Sequence, residues 1–218
     1  MDEEATPPEP GVHQKMRTIS DARELRALAH PVRIQLYEAL ALHESLTATQ
    51  ASKLVGGSPT SVAYHLRTLA KYGYVEEAND GTGRERPWRL AEIGFSFNEE
   101  SPDPETKAAA QALSRQLFKR WLARREEYQR TKAQWPAEVR EVVSDWNSVL
   151  IGTVEEFREL QEGMFKLAEK YYDRIKHPEL RPEGSRIFEL QLFTHPIDTS
   201  SFAVDEQDED AADSHEEN

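Results

Sequence analysis

Cysteine is absent from the 218-residue chain. That excludes disulfides, thiolate zinc sites and cysteine nucleophiles together. Long apolar runs are absent too, since no stretch approaches the ~20 residues needed to span a bilayer. The acidic first residues lack the cationic and apolar parts of a secretory signal, so a soluble, cytoplasmic protein is expected. No Ser/His/Asp spacing, phosphate loop, metal motif or pair of catalytic carboxylates stands out. Neither an enzyme nor a cofactor or metal site is expected. Positive charge is also short, with 27 Lys and Arg against 40 Asp and Glu and a net charge of −13. The shortage is local: residues 1–19 carry −2, residues 20–98 balance 9 basic and 9 acidic groups, residues 99–178 carry −1, and residues 179–218 carry −10. Net charge governs solubility and steering rather than the field at one face.

What is present is organised around residues 47–90. Thr47 and Gln50 have capping-box spacing. Ala51, Leu54 and Val55 follow as an apolar stripe, and Gly56-Gly57 ends the helix where a positive φ is needed. Ser58 can cap a second helix, Pro59 suits its first position, and Gly73 stops it, giving a helix over 59–72. Val62, Leu66 and Leu69 form its buried stripe. Thr60, Ala63, Tyr64, Arg67 and Lys71 lie on the other side, with no acidic residue between Ser58 and Tyr74. Short side chains near the helix start reach base edges in a major groove, and the cations behind them meet phosphates. An ordinary solvated helix is the plain alternative.

A hairpin follows. Tyr74 to Ala78 reads as a strand, residues 79–83 (NDGTG) as its reversal, and Arg84 to Leu90 as the return strand anchored by Trp88 and Leu90. Arg84, Arg86 and Arg89 sit on this wing, over 79–89, and can clamp phosphates or enter the minor groove. Strict alternation puts Arg84 and Arg86 on the Trp88 side; a bulge at Pro87 or a protruding tip would free them.

ALAHPVRIQLYEAL (Ala27–Leu40), TATQASKLVGGSPTSVAYHLRTLAKYGYV (Thr47–Val75) and the wing together resemble the ArsR-like winged helix-turn-helix regulators, over about a third of the chain. The resemblance implies a homodimer that binds imperfect palindromes. It places Pro59, Thr60, Ala63 and Tyr64 against the DNA; Ser61, Arg67, Lys71 and the wing arginines are expected beside them from their places on the helix and hairpin. The family commonly has serine where this chain has Ala63, so a methyl group replaces one polar contact. The resemblance also puts the first helix, with Leu25 and Leu28, at the dimer interface. The family's metal sensors use cysteines on the first helix of the motif, or Asp/His pairs on a C-terminal helix. Residues 48–55 have neither cysteine nor histidine, and residues 137–175 have no histidine. Metal sensing at either place is not expected, which leaves a small organic effector, a protein partner or no effector.

The rest reads in order. Residues 1–19, with three prolines and a glycine among acids, are expected to form a disordered tail. Asp21 and Glu24 have capping-box spacing for a first helix, in which Leu25 and Leu28 point inward. His30-Pro31 ends that helix and starts the next, with His30 as a helix-end hydrogen bonder and Val32, Leu36 and Leu40 buried. Residues 91–102 form a connector in which Phe95 and Phe97 pack down. Asp103-Pro104 starts a long helix to about Gln134, and Trp135-Pro136 interrupts it. A second long helix is expected over 137–175, with apolar steps of three and four that suit packing on a second copy. Trp121 on the first of these long helices and Trp146, Leu150 and Phe157 on the second are the expected interface residues. Trp121, Trp135 and Trp146 could instead line an effector pocket, although aromatics fill helix interfaces routinely. Ile187 to Phe193 alternates and reads as a late strand.

The expected architecture is therefore mainly α with a small β-wing. It comprises a tail (1–19), a winged helix-turn-helix domain (20–98), long helices for dimerisation or effector binding (99–178), a connector with a late strand (179–196) and an acidic tail (197–218). The tail either competes with DNA for the basic face or keeps the chain soluble. Two functions compete: a homodimeric, sequence-specific DNA-binding regulator, and a winged-helix interaction module that recruits partners through the long helices and acidic tail.

Overall fold

A computed structural model describes residues 17–78 and 86–198. It is mainly helical with a small β-wing, as the sequence pattern requires. Strand β1 (Arg17–Ile19) leads into helices α1 (Ala22–Leu28), α2 (Pro31–Leu42), α3 (Ala48–Val55) and α4 (Pro59–Lys71). The hairpin strands β2 (Val75–Glu77) and β3 (Trp88–Leu90) come next, followed by β4 (Phe95–Phe97). Helices α5 (Pro104–Thr131), α6 (Ala137–Glu141) and α7 (Val154–Lys176) complete the series.

The helix boundaries follow from their caps. Asp21 accepts from the amides of Arg23 and Glu24. Thr47 and Gln50 form the reciprocal capping box of α3. Ser58 and Asp103 cap the proline-first helices α4 and α5. Each satisfies N–H groups that the first helical turn leaves without partners. Glu24 does not complete a box with Asp21; its carboxylate pairs with Arg17 at 2.7 Å instead.

One core unites β1, α1 to α4, the hairpin, β4 and the first half of α5. Leu25, Leu28, Leu36, Leu66, Leu69 and Leu113 are each at most 1 % exposed. Ile34 and Leu40 join from α2, and Val32 packs at the edge of the core. Of the stripe expected on α3 only Ala51 is buried; Leu54 is 54 % exposed. Val55, in the last turn, is partly buried against the core.

Two small sheets close the body. β2 and β3 are antiparallel, with Glu76 opposite Arg89 and Glu77 opposite Trp88. Trp88 also exchanges backbone hydrogen bonds with Leu46 at 2.8 and 2.9 Å, which fixes the wing to the entry of α3. β1 and β4 are parallel, pairing Ile19 with Phe97. Residues 17–19 therefore belong to the fold rather than to the tail, and Ile19 is 2 % exposed. Arg17 holds this edge, its guanidinium 4.9 Å from the Tyr74 ring centroid, while the Tyr74 hydroxyl donates to the Glu24 carbonyl at 2.9 Å.

The first turns of α5 pack on α1 through Thr106, Ala109, Ala110 and Leu113. Glu38 on α2 accepts from Arg120 and, at 2.9 Å, from Arg124 further along α5. The continuous helix expected over 137–175 is not formed. Helix α6 ends at Glu141, residues 143–153 are non-helical, and α7 starts at Val154. Val142, Val143, Ser144, Asp145, Asn147 and Ser148 are all poor helix formers. A complete Thr153–Glu156 capping box then begins a new helix.

Contacts divide the chain after Arg181. In the second unit, Ile187–Phe193 is not a strand. Among the described residues, the ladders are β1–β4 and β2–β3 alone, and alternation without a ladder partner does not make a strand. No helix among the described residues is long and apolar enough to cross a membrane.

Candidate nucleic-acid interface

Helix α4 buries one face and presents the other. Val62, Leu66 and Leu69 are 1 %, 0 % and 0 % exposed. Pro59, Thr60, Ser61, Arg67 and Lys71 are exposed, Tyr64 is 62 % exposed, and Ala63 is half-buried. Ser58 accepts from the Ser61 amide at 3.2 Å, so the helix starts where its outward residues begin. An open groove runs between three elements. Ala48 and Thr49 line it from the start of α3, Thr60, Ala63 and Arg67 from α4, and Glu77, Arg86 and Trp88 from the hairpin. Thr49 and Trp88 were not singled out as site residues from sequence, because only the Trp88–Leu46 pairing swings the wing beside α3.

The charges of the groove are uneven. Arg67 and Lys71 form no ion pair among the described residues, and the Lys71 ammonium lies 5.5 Å from the Tyr72 ring centroid. The wing arginines are paired: Arg86 with Glu77 at 2.6 Å and Arg89 with Glu76 at 2.7 Å. Hydrogen bonding to Glu77 and its charge push the Arg86 pKa up. Exposed pairs of this kind are weak and screened by solvent and salt, so a phosphate can replace the carboxylate. Arg86 thus stands at the groove, on the same side as Trp88. Arg84 lies outside the described residues, as do the tip of the wing and the two chain ends.

An exposed helix with a small polar start and a basic end, set behind a short partner helix and beside a hairpin, is the arrangement that enters a major groove. Residues 28–77 match the family model described as a helix-turn-helix domain. The match spans α2, α3, α4 and β2, and with them the groove residues from Ala48 to Glu77; a domain of this type points to DNA as the partner. No curated protein matches the chain.

Between α2 and α4 lies a histidine pair. His30 caps α2, its Nδ1 accepting from the Val32 amide at 3.2 Å, which is the helix-end role its sequence position suggests. Its ring centroid is 4.8 Å from that of His65 on α4. The His65 Nδ1 is buried and has no hydrogen-bond partner. Burial, followed by the Arg33 guanidinium, pushes the His30 pKa below its ordinary 6.5. Burial, then His30 and Arg33, does the same for His65. Arg33 is fixed by donating to the Ala27 and Arg26 carbonyls at the end of α1.

Below about pH 6.5 the unfolded chain takes up protons that the folded one resists, so stability falls as pH falls through that range. Protonating His30 at Nδ1 would also remove the α2 cap. His65→Leu, which cannot protonate, is expected to flatten the decline in thermal midpoint between pH 7.5 and 5.5. A slope equal to the native one would show that His65 does not contribute.

The expected interface residues divide. Leu25 and Leu28 are consumed by the chain's own core at 0 % and 1 % exposure and offer no surface to a partner. Trp121 is half-buried against Phe118, with ring centroids 5.6 Å apart. Trp146 and Leu150 lie in the non-helical stretch before α7, 77 % and 50 % exposed. Phe157 is half-buried on the first turn of α7. Trp135 and Trp146 are both exposed on the single chain, so neither is enclosed there as the wall of an effector pocket.

Proposed function

We infer that this protein is an ArsR-like transcriptional regulator that binds double-stranded DNA sequence-specifically as a homodimer. The observation that carries this reading is the uncovered α4 face, braced from behind by Val62, Leu66 and Leu69 and flanked by Arg86. Residues 59–64 would meet base edges in the major groove, and Arg67 and Lys71 the backbone. Arg84, Arg86 and Arg89 would hold flanking phosphates. A two-fold dimer would then read a palindrome whose half-sites lie about one helical turn apart, or a multiple of it. The uncovered apolar groups beyond α5 support a second subunit, because patches of this kind mark interfaces. Regulation by a small organic effector is part of this reading only as an unassigned input.

Selection of bound fragments from a genomic pool with purified protein tests it: one enriched palindromic motif is expected. On that fragment, Arg86→Ala should lower affinity about evenly across sequences and reduce the salt slope by roughly 1. Glu77→Gln releases Arg86 and should raise affinity several-fold at low salt, where the charge gained matters most. Unchanged affinity in both variants would remove the wing from the interface.

The second reading, an interaction module, draws on the paired state of Arg86 and Arg89, which leaves the wing nearly neutral. It requires that no duplex binds with salt-dependent affinity.

A further inference from the structure

Helix α7 is 23 residues long; Phe157 and Met164 are half-buried, and the rest of its apolar stripe is exposed among the described residues. Leu160 is 41 % exposed, Leu167 76 % and Tyr171 54 %. A helix with such a stripe draws its stability from what covers it. Among the described residues of its own unit α7 packs chiefly on the short turn Pro178–Leu180 that follows it, and Gly152 lies against Glu156 and Phe157 at its start; both sit at the ends of the helix.

The charges along α7 say what can. In residues 154–163, Glu155, Glu156, Glu159 and Glu162 stand against Arg158 alone. In residues 164–176 the balance reverses, with Lys166, Lys170, Arg174 and Lys176 against Glu169 and Asp173. The helix is acidic in its first half and basic in its second. Two copies side by side in parallel would set acid against acid and base against base. Reversed, each acidic half lies along a basic half, which is favourable over the whole length.

The apolar positions accept the same reversal. Residues 157, 160, 164, 167 and 171 keep the three–four spacing of a helix-pairing seam. Placing Met164 opposite Leu167 of the second copy sets Leu160 opposite Tyr171 of the second copy, on both sides of the centre. One further step brings Phe157 to Arg174, whose long apolar stem can lie along the ring.

We propose that α7 is the dimerisation element of this protein and pairs antiparallel with α7 of a second copy, about a two-fold axis passing between Phe165 and Lys166. This rests on the homodimer reading above and adds the element, direction and register.

The absence of native cysteine makes the test direct. Leu160→Cys and Tyr171→Cys are made separately in the full chain, carried on differently tagged copies, mixed, and oxidised mildly. The mixed disulfide should accumulate, and each variant alone should give little cross-linked product. Cross-linking of each variant to itself would mean parallel pairing and would overturn the proposal. So would the absence of any cross-link. In sedimentation the native chain should be a dimer, and Leu167→Glu, at an exposed position, should be a monomer with an unchanged helical spectrum. A native dimer without the mixed disulfide would overturn the α7 pairing and leave the homodimer reading standing. A native monomer would overturn both, and neither result touches DNA reading by α4, which is measured independently.

Discussion

Tyr64→Ala is expected to weaken binding to the selected duplex by about 1–3 kcal/mol and to relax base preference at the position the ring meets. Tyr64 is the largest outward side chain near the start of α4, and at 62 % exposure it supports little of the core. Its ring lies 5.6 Å from that of His65, while Val62, Leu66 and Leu69 seat the helix from its other face. The loss should therefore appear in binding and not in folding. Gel-shift titration against the selected sequence and a scrambled one measures both affinity and preference, and thermal melting checks the fold. Equal affinity for both sequences in the native protein would leave Tyr64 no sequence to read. An intact preference in Tyr64→Ala would move base reading elsewhere on the helix.

Leu66→Ala is expected to cost about 2–5 kcal/mol of folding stability, the range for emptying a fully buried leucine site. Leu66 is 0 % exposed and sits between Val62 and Leu69 on the stripe that seats α4 in the body. Because native domains hold only about 5–15 kcal/mol in total, this one change takes a large share. The denaturant midpoint should fall with little change in slope. DNA binding should decline as the folded fraction declines and recover at lower denaturant activity or temperature. This would separate Leu66, which supports α4, from Tyr64, which on the proposed function meets the bases.

How much of this was legible beforehand depended on the range of the interaction. Caps are local, and Asp21, Thr47 with Gln50, Ser58-Pro59 and Asp103-Pro104 each announce a helix start within four residues. The recognition-type face of α4 is local too, since its period is set by one helix. The parallel pairing of Arg17–Ile19 with Phe95–Phe97 is not, because it joins two three-residue strands across most of the domain. Phe95 and Phe97 hinted that their segment packs down, but nothing marked the partner. The break between α6 and α7 was hidden by apolar spacing that continues at steps of three and four through Val142, Val143 and Trp146. Helix propensity and the Thr153 cap overrode that spacing. Ile187–Phe193 shows the converse, an alternation with no ladder to join.

Within the candidate site the cations were legible and their partners were not. Glu76 and Glu77 stand next to each other on β2, and only the register of the hairpin sets them beside Arg89 and Arg86. Pairing of this kind decides whether a basic-looking hairpin carries free charge. It also means that wing binding to a phosphate is an exchange of partners and not a simple gain.

Backbone amide chemical shifts of the full chain, followed by NMR during titration with the selected duplex at two salt concentrations, test most directly whether the α4 face reads DNA. Shifts concentrated at residues 47–71 and 86–89, fading together as salt rises, are the expected result. Saturable duplex binding whose shifts fall on α5 or α7 and spare residues 58–71 would contradict it.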